Sequence, residues 1–278
     1  MRVSRSSQGG KGPRVTADVP SEPGHGMGLV RRGPDPIRRL AAAHPDAAVE
    51  ADDPAVVAAL RGDLGARARI VPQAFDDDIA SAIEELHEPV VDLPSGARLS
   101  FHPTPALTAI DVDTAAATGR DTAKLNRALI PDLARQIRLR ALAGAILVDF
   151  AGMAIKRRGG LAPDLVRALR DDPEGPRLIG FTGLGLAEIL RPRVRPPLHE
   201  LLTGPRAAGL AALRAMARAV AADPARRPDL RAHPAVIAAL RDDPGALTEL
   251  AARIGRAAAL RADPAMAWCA WTIEDPHG

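Results

Sequence analysis

The sequence predicts an α/β fold, and three observations lead there. Two largely apolar runs, residues 106–112 and 145–150, each carrying an aspartate one residue before its end, have the length of buried strands. Between them Leu125, Leu129, Leu133 and Ile137 recur at every fourth position, which is helical spacing. Further strand-like runs follow at residues 177–181 and 186–190, after a helical stretch at 162–170. Strand, helix and strand in that order imply one sheet carrying crossover helices.

Each region of the chain supports part of that assignment. Residues 1–26 show no hydrophobic period, and Gly9, Gly10, Gly12, Pro13, Pro20 and Pro23 interrupt regular structure, so a flexible arm is expected. From 27 to 88 short helices open on Asp-Pro or His-Pro steps. Asp53 caps a helix whose first turn holds Pro54, and residues 75–86 place Ile79, Ile83 and Leu86 on one face. From 89 to 202 strands and helices alternate: Leu93-Pro-Ser-Gly96 turns the chain, a helix is expected over 121–140 despite Pro131, and Gly144 precedes the second apolar run. Residues 203–278 are Ala-rich and are expected to be helical, with segments at 207–220, 234–240 and 244–254. The phrase Pro54-Ala-Val-Val-Ala-Ala-Leu-Arg61 returns as Pro234-Ala-Val-Ile-Ala-Ala-Leu-Arg241, which reads as shared composition rather than a repeat.

Composition narrows the function classes. At 278 residues, 46% hydrophobic and 26% charged, the chain is long enough for a sizeable core. No run approaches the ~20 apolar residues of a membrane span, and residues 1–13 are polar, so a cytoplasmic protein without a secretory signal is expected. Cys269 is the sole cysteine, which excludes an intrachain disulfide and a multi-cysteine zinc site. A metal must then be held by oxygen or imidazole. The formal charge is only +3, with lysine confined to Lys11, Lys124 and Lys156; aromatic content is 2% with no tyrosine. A nucleic acid would therefore be gripped through its backbone rather than by base stacking.

Asp111 and Asp149 each close an apolar run, and a helix of suitable length separates them. A right-handed crossover would set the two strands parallel and bring both carboxylates to one sheet edge, where ligands bind in open α/β sheets. Oxygen donors there suit a hard cation such as magnesium, and Asp113 points to the same side as Asp111. Spacing alone also fits turn residues or helix caps. The intervening helix carries Asn126 at its start and Arg135, Gln136, Arg138 and Arg140 near its end, a pattern that a solvated face explains as well. Lys156, Arg157 and Arg158 follow the second strand and suit either phosphate contact or a solvated loop, while His102 reads as an ordinary turn residue.

Read in order, these residues resemble the ribonuclease E/G family. The likeness is carried by Ala106-Leu-Thr-Ala-Ile-Asp-Val-Asp113, Asn126, Ala134-Arg-Gln-Ile-Arg-Leu-Arg140, Gly144-Ala-Ile-Leu-Val-Asp-Phe-Ala-Gly-Met153 and Gly183-Leu-Gly-Leu-Ala-Glu-Ile-Leu-Arg-Pro-Arg193. It covers about residues 27–202, most securely from Pro94 onward. The stretch Gly9-Gly-Lys-Gly-Pro-Arg-Val-Thr16 also resembles the strand that ends the family's small RNA-binding barrel.

The resemblance implies a ribonuclease-H-like subdomain over 27–88 and a catalytic deoxyribonuclease-I-like subdomain over 89–202, cutting single-stranded RNA with one magnesium ion. Asp111 and Asp149 would be the catalytic metal ligands, joined by Asp113 where the family usually has asparagine. Asn126, Arg135, Gln136, Arg138, Arg140 and Lys156 would support the site or position RNA. The chain departs from the family in three ways: most of the barrel and the 5′-monophosphate sensor are missing, Phe150-Ala-Gly-Met153 lacks the second acid that several relatives show after the strand, and the paired cysteines are absent. Loss of 5′-end sensing and no zinc-linked oligomer are the expectations. Competing readings are a non-catalytic RNA-binding paralogue and a structural or interaction protein.

Overall fold

The computed structural model describes residues 2–5, 12–17, 35–114, 121–150 and 152–275. The expected segment boundary at 27 and the residue Ala151 lie outside these. The chain divides into two compact units, Met1–Val3 with Val15–Glu88, and Ser4–Arg14 with Pro89–Gly278.

Strands β1 (Arg2–Arg5) and β2 (Arg14–Thr16) form a two-stranded sheet, so the described part of the expected arm has regular structure. Backbone pairing supplies there what the Gly/Pro-rich composition concealed. The first unit then contains α1 (Pro36–Ala43), β3 (Val49–Ala51), α2 (Pro54–Leu64), β4 (Ala68–Ile70) and α3 (Asp77–Glu85). Asp53 accepts from the backbone N–H of Ala55 and Val56 while Pro54 opens α2, satisfying donors that a helix start leaves bare. Beneath α2, Val57, Leu60 and Ala68 make a small core against the parallel β3–β4 pair. Arg67 donates to the carbonyls of Ala41, His44 and Ala47, closing the end of α1.

The second unit is built on a six-stranded sheet of β5 (Val90–Asp92), β6 (Arg98–Pro103), β7 (Leu107–Asp113), β8 (Gly144–Phe150), β9 (Arg177–Phe181) and β10 (Ala187–Arg191), ordered β5-β6-β7-β8-β10-β9. Its neighbours run antiparallel except β7 and β8, which are parallel and joined by α4 (Thr122–Leu139). Helices α5 (Ile155–Arg158) and α6 (Ala162–Leu169) follow β8. Alternation decides which side is covered. Ile110, Val112, Ile146, Val148 and Phe150 are buried in one cluster with Leu129, Leu133 and Ile137 of α4 and Leu165 and Leu169 of α6. Burying each such side chain contributes about 1.5–3 kcal/mol. The alternate residues Ala109, Asp111, Ala145, Leu147 and Asp149 face the side away from that cluster and retain exposure.

Pro131 lies inside the unbroken span of α4 at an exposed position, where the helix carbonyl it leaves without a donor is open to water. At the far end of α4 the return to β8 is tight: Ala141 adopts φ 49°, and Gly144 adopts φ 85° with the Arg193 guanidinium where a Cβ would stand. Arg191, 2% exposed, locks this corner by donating to both oxygens of the buried Asp172 and to the carbonyl of Leu142.

The C-terminal region corrects the expectation of helices alone. After α7 (Leu198–Leu202) and α8 (Pro205–Ala222), strand β11 (Asp229–Ala232) pairs in parallel with β12 (Leu260–Ala262) and antiparallel with β13 (Trp271–Glu274), enclosing α9 (Pro234–Arg241) and α10 (Pro244–Ile254) in sequence. The three strands are short, and charged residues interrupt their apolar character, so no apolar run announces them. They are held by a core of their own around Met216, Leu230, Val236, Ile237 and Leu240. Among the described residues no helix is long and apolar enough to cross a membrane.

Candidate active site

The β7–α4–β8 crossover decides where the acidic residues fall. Asp111 and Asp149 are direct register partners on adjacent parallel strands, one step before the Val112–Phe150 pair. Adjacent strands lie about 4.8 Å apart, and both residues take the helix-free face, so the two carboxylates stand side by side at the carboxyl edge of the sheet. On its other flank Asp111 opposes Ser100 of β6.

Arg158 completes the arrangement. Its Nη1 donates to Asp149 Oδ1 at 2.6 Å and to the Gly185 carbonyl at 3.4 Å, and its Nε donates to the Met153 carbonyl at 3.1 Å. The Arg158 side chain is 12% exposed and that of Asp149 is 47% exposed. Gly185, at φ 80°, gives the arginine stem room, since a Cβ there would stand 2.9 Å from Arg158 Cδ. The turn holding Gly185 is closed by Thr182, whose Oγ1 accepts from the N–H of Leu184 and Leu186.

Asp113 ends β7 on the same face as Asp111, paired in register with Arg98. The Arg98 guanidinium is held above its usual range chiefly by its hydrogen bond to Asp92, with Asp113 adding a smaller contribution. Among the described residues no group of three or more His, Cys, Asp or Glu side chains is placed to hold a metal. The in-register carboxylates at this edge are a pair, Asp111 and Asp149. Two carboxylates with open positions beside them fit magnesium, which is commonly held by one or two carboxylates, waters and substrate phosphates.

The helix residues singled out from the sequence are spread along α4. Asn126 is fully buried near its start. Arg135, Gln136, Arg138 and Arg140 occupy its last turns, and from Asn126 to Arg140 the helix rises roughly 20 Å, away from the carboxylates. Gln136 and Arg140 are buried: Arg140 Nε donates to Gln136 Oε1 at 3.0 Å, and its guanidinium stacks 4.2 Å from the Phe101 ring centroid. Burial pulls the Arg140 guanidinium below its usual range. This network packs the crossover at the edge opposite the carboxylates, whereas Arg135 is exposed and Arg138 half-buried.

Lys156 and Arg157 are exposed on α5, beside the anchored Arg158. His102 is a strand residue of β6 facing the helix-free side opposite Ala109, not the turn residue expected. The pairing of β6 with β7 recruits it despite the flanking prolines. Gly152 has a steric reason to lack a side chain: at φ 70°, a Cβ would come within 2.6 Å of Thr122 Cγ2. Arg158 is the site residue that sequence reasoning did not single out for Asp149. Its signal was hidden in a basic run, and its contact depends on a turn formed more than twenty positions later.

Residues 67–194 match the ribonuclease E/G family. The chain is similar to Ribonuclease E of Nostoc sp., 41% identical over 140 residues covering 48% of this chain and 20% of that protein. It is also similar to Ribonuclease E of Escherichia coli, 35% identical over 47% of this chain and 13% of the relative, and to Ribonuclease G of the same species, 34% identical over 45% and 27%. The chain thus spans about a quarter or less of the length of the curated relatives it matches. Residues 67–194, the stretch that matches the ribonuclease E/G family, contain both strand-end carboxylates and Arg158.

Proposed function

We propose that this chain is a magnesium-dependent endoribonuclease that cuts single-stranded RNA in the cytoplasm. The observation that carries the reading is the register pairing of Asp111 with Asp149 at the carboxyl ends of adjacent parallel strands. In this reading residues 27–88 are a ribonuclease-H-like part, 89–202 the deoxyribonuclease-I-like catalytic part and 203–278 a separate C-terminal part.

Asp111 and Asp149 would hold the cation, and Asp113 extends the acidic edge toward Arg98. When bound, magnesium supplies a Lewis acid for the scissile phosphate and the attacking water. The helix-free face admits the RNA strand, because the opposite face is closed by α4 and α6. Lys156, exposed at the same edge, contacts phosphate. Asn126, Gln136 and Arg140 support the crossover from behind, with Arg135 and Arg138 left to meet RNA outside the cleavage point.

The test is cleavage of a fluorescent single-stranded RNA in magnesium and in EDTA, comparing the wild type with Asp149→Asn. Magnesium-dependent cutting that the substitution abolishes is the expected result. Folded protein that binds RNA and leaves it intact would transfer the assignment to an RNA-binding paralogue, and binding of neither RNA nor magnesium would transfer it to a scaffold.

A further inference from the structure

The Asp149 carboxylate is exposed to water on one side and touches a mostly buried guanidinium on the other. That guanidinium cannot follow the carboxylate if it moves. Three acceptors on separate segments fix it: Asp149 at the end of β8, the Met153 carbonyl in the connection to α5, and the Gly185 carbonyl in the β9–β10 turn. The stem is confined as well, since Gly185 lies against Arg158 Cδ and also against Ile155. Arginine alone has the planar fork that reaches such acceptors from one rigid group, and lysine offers a single mobile ammonium in its place.

We propose that Arg158 is a positioning residue for the cation site: by holding Asp149 Oδ1 it fixes the carboxylate in one orientation and leaves Oδ2 for the metal beside Asp111. It also offsets part of the repulsion between two carboxylates set on neighbouring strands. The proposal rests on the reading of Asp111 and Asp149 as metal ligands. Groups that orient ligating carboxylates are worth 10–100-fold in metal affinity when removed, which sets the expected size of the effect.

The experiment titrates the full-length, RNA-free protein with Mn2+, counting free ion by its electron paramagnetic resonance signal, for the wild type, Arg158→Gln, Arg158→Lys and Asp149→Asn, with Arg158→Gln also placed in the Asp149→Asn background. Circular dichroism melts verify that each variant is folded. Arg158→Gln is expected to raise the Mn2+ dissociation constant 10–100-fold. Arg158→Lys should recover little of that loss, because the charge returns without the fork. In the Asp149→Asn background Arg158→Gln should change residual binding by less than twofold.

Unchanged or tighter Mn2+ binding by folded Arg158→Gln would overturn the positioning role, as would full rescue by lysine or an equal effect in the Asp149→Asn background. A wild type that binds no Mn2+ would overturn the metal site itself, and the role of Arg158 with it. Should Arg158→Gln fail to fold, Arg158→Lys carries the decision: a loss of affinity supports the proposal, and wild-type affinity removes it.

Discussion

The second unit contains two parallel strand pairs joined through helices, β7–β8 and β11–β12, and they end differently. At the carboxyl end of the first, two aspartates meet in register on an open face. At the end of the second the register partners are Ala232 and Ala262. The polar residues that follow are already engaged: His233 Nδ1 accepts from Ala235 N–H at the start of α9, and Asp263 accepts from Ala265 N–H and from Arg231. Those contacts hold the Asp263 carboxyl below its ordinary range, the backbone bond first and Arg231 next. The two crossovers thus differ in how their strand-end acids are used: Asp263 engages both oxygens within the C-terminal region, while Asp149 meets Arg158 through Oδ1. In the C-terminal pair the polar groups at the strand ends are tied to neighbouring backbone and to Arg231.

The largest effect that would break this contrast is on chemistry. Asp111→Asn should lower magnesium-dependent RNA cleavage roughly a thousandfold, since loss of a ligand forfeits several kcal/mol of transition-state stabilisation. Asp263→Asn should leave single-turnover cleavage at the wild-type rate, and equal losses from both would erase the distinction.

Next in size is stability at the two corners. Asp172→Ala strands Arg191 in the core and should cost about 3–5 kcal/mol in a urea melt, because both partners are buried. Asp275→Ala removes a water-exposed partner of Arg226 in the C-terminal region and should leave the same midpoint in place. Smaller again, Gly209→Ala tests how tightly the C-terminal core is closed. Its Cβ would approach Leu240 Cδ2 within 2.8 Å, and overpacking of that kind costs about 1–3 kcal/mol. A stabilised variant would show that α8 and α9 have room to yield.

The smallest effect is a pH slope. Burial holds the His199 imidazole below its ordinary value; Glu200 opposes the shift, while Arg140 and Arg193 add to it. The unfolded chain therefore takes up this proton first as pH falls. The contribution is complete above about pH 6.5 and is lost as pH drops from there through the folded value. Thermal melts between pH 7.5 and 5 should fall less steeply for His199→Gln than for the wild type.

Most of the six-stranded sheet was legible in the sequence. The runs that became β7 and β8 are largely apolar, α4 repeats leucine and isoleucine every fourth residue, and its observed span Thr122–Leu139 lies within one residue of the expected 121–140 at each end. The Asp111–Asp149 pairing followed from one rule about crossover handedness. What stayed hidden depends on partners distant in sequence. β3, β4 and β12 are three residues long, too short for a period to show. Gln136 and Arg140 read as a solvated face, yet Arg140 stacks on Phe101 and donates to Gln136, and both are buried. Arg158 looked like its neighbours Lys156 and Arg157 until the Gly185 turn folded against it.

The parallel pairing of β7 with β8 also orders events in time. Parallel neighbours cannot be joined by a tight hairpin, so Asp111 meets Asp149 only after α4 has formed and carried the chain back across the sheet. Such non-local contacts are slow to form because the closure entropy of the intervening loop precedes their reward. An emerging chain that has made β7 but not β8 holds a single acidic strand end. On the proposed reading, a cation held by both carboxylates would select the completed crossover, and each tenfold excess over its dissociation constant would deepen the native state by about 1.4 kcal/mol.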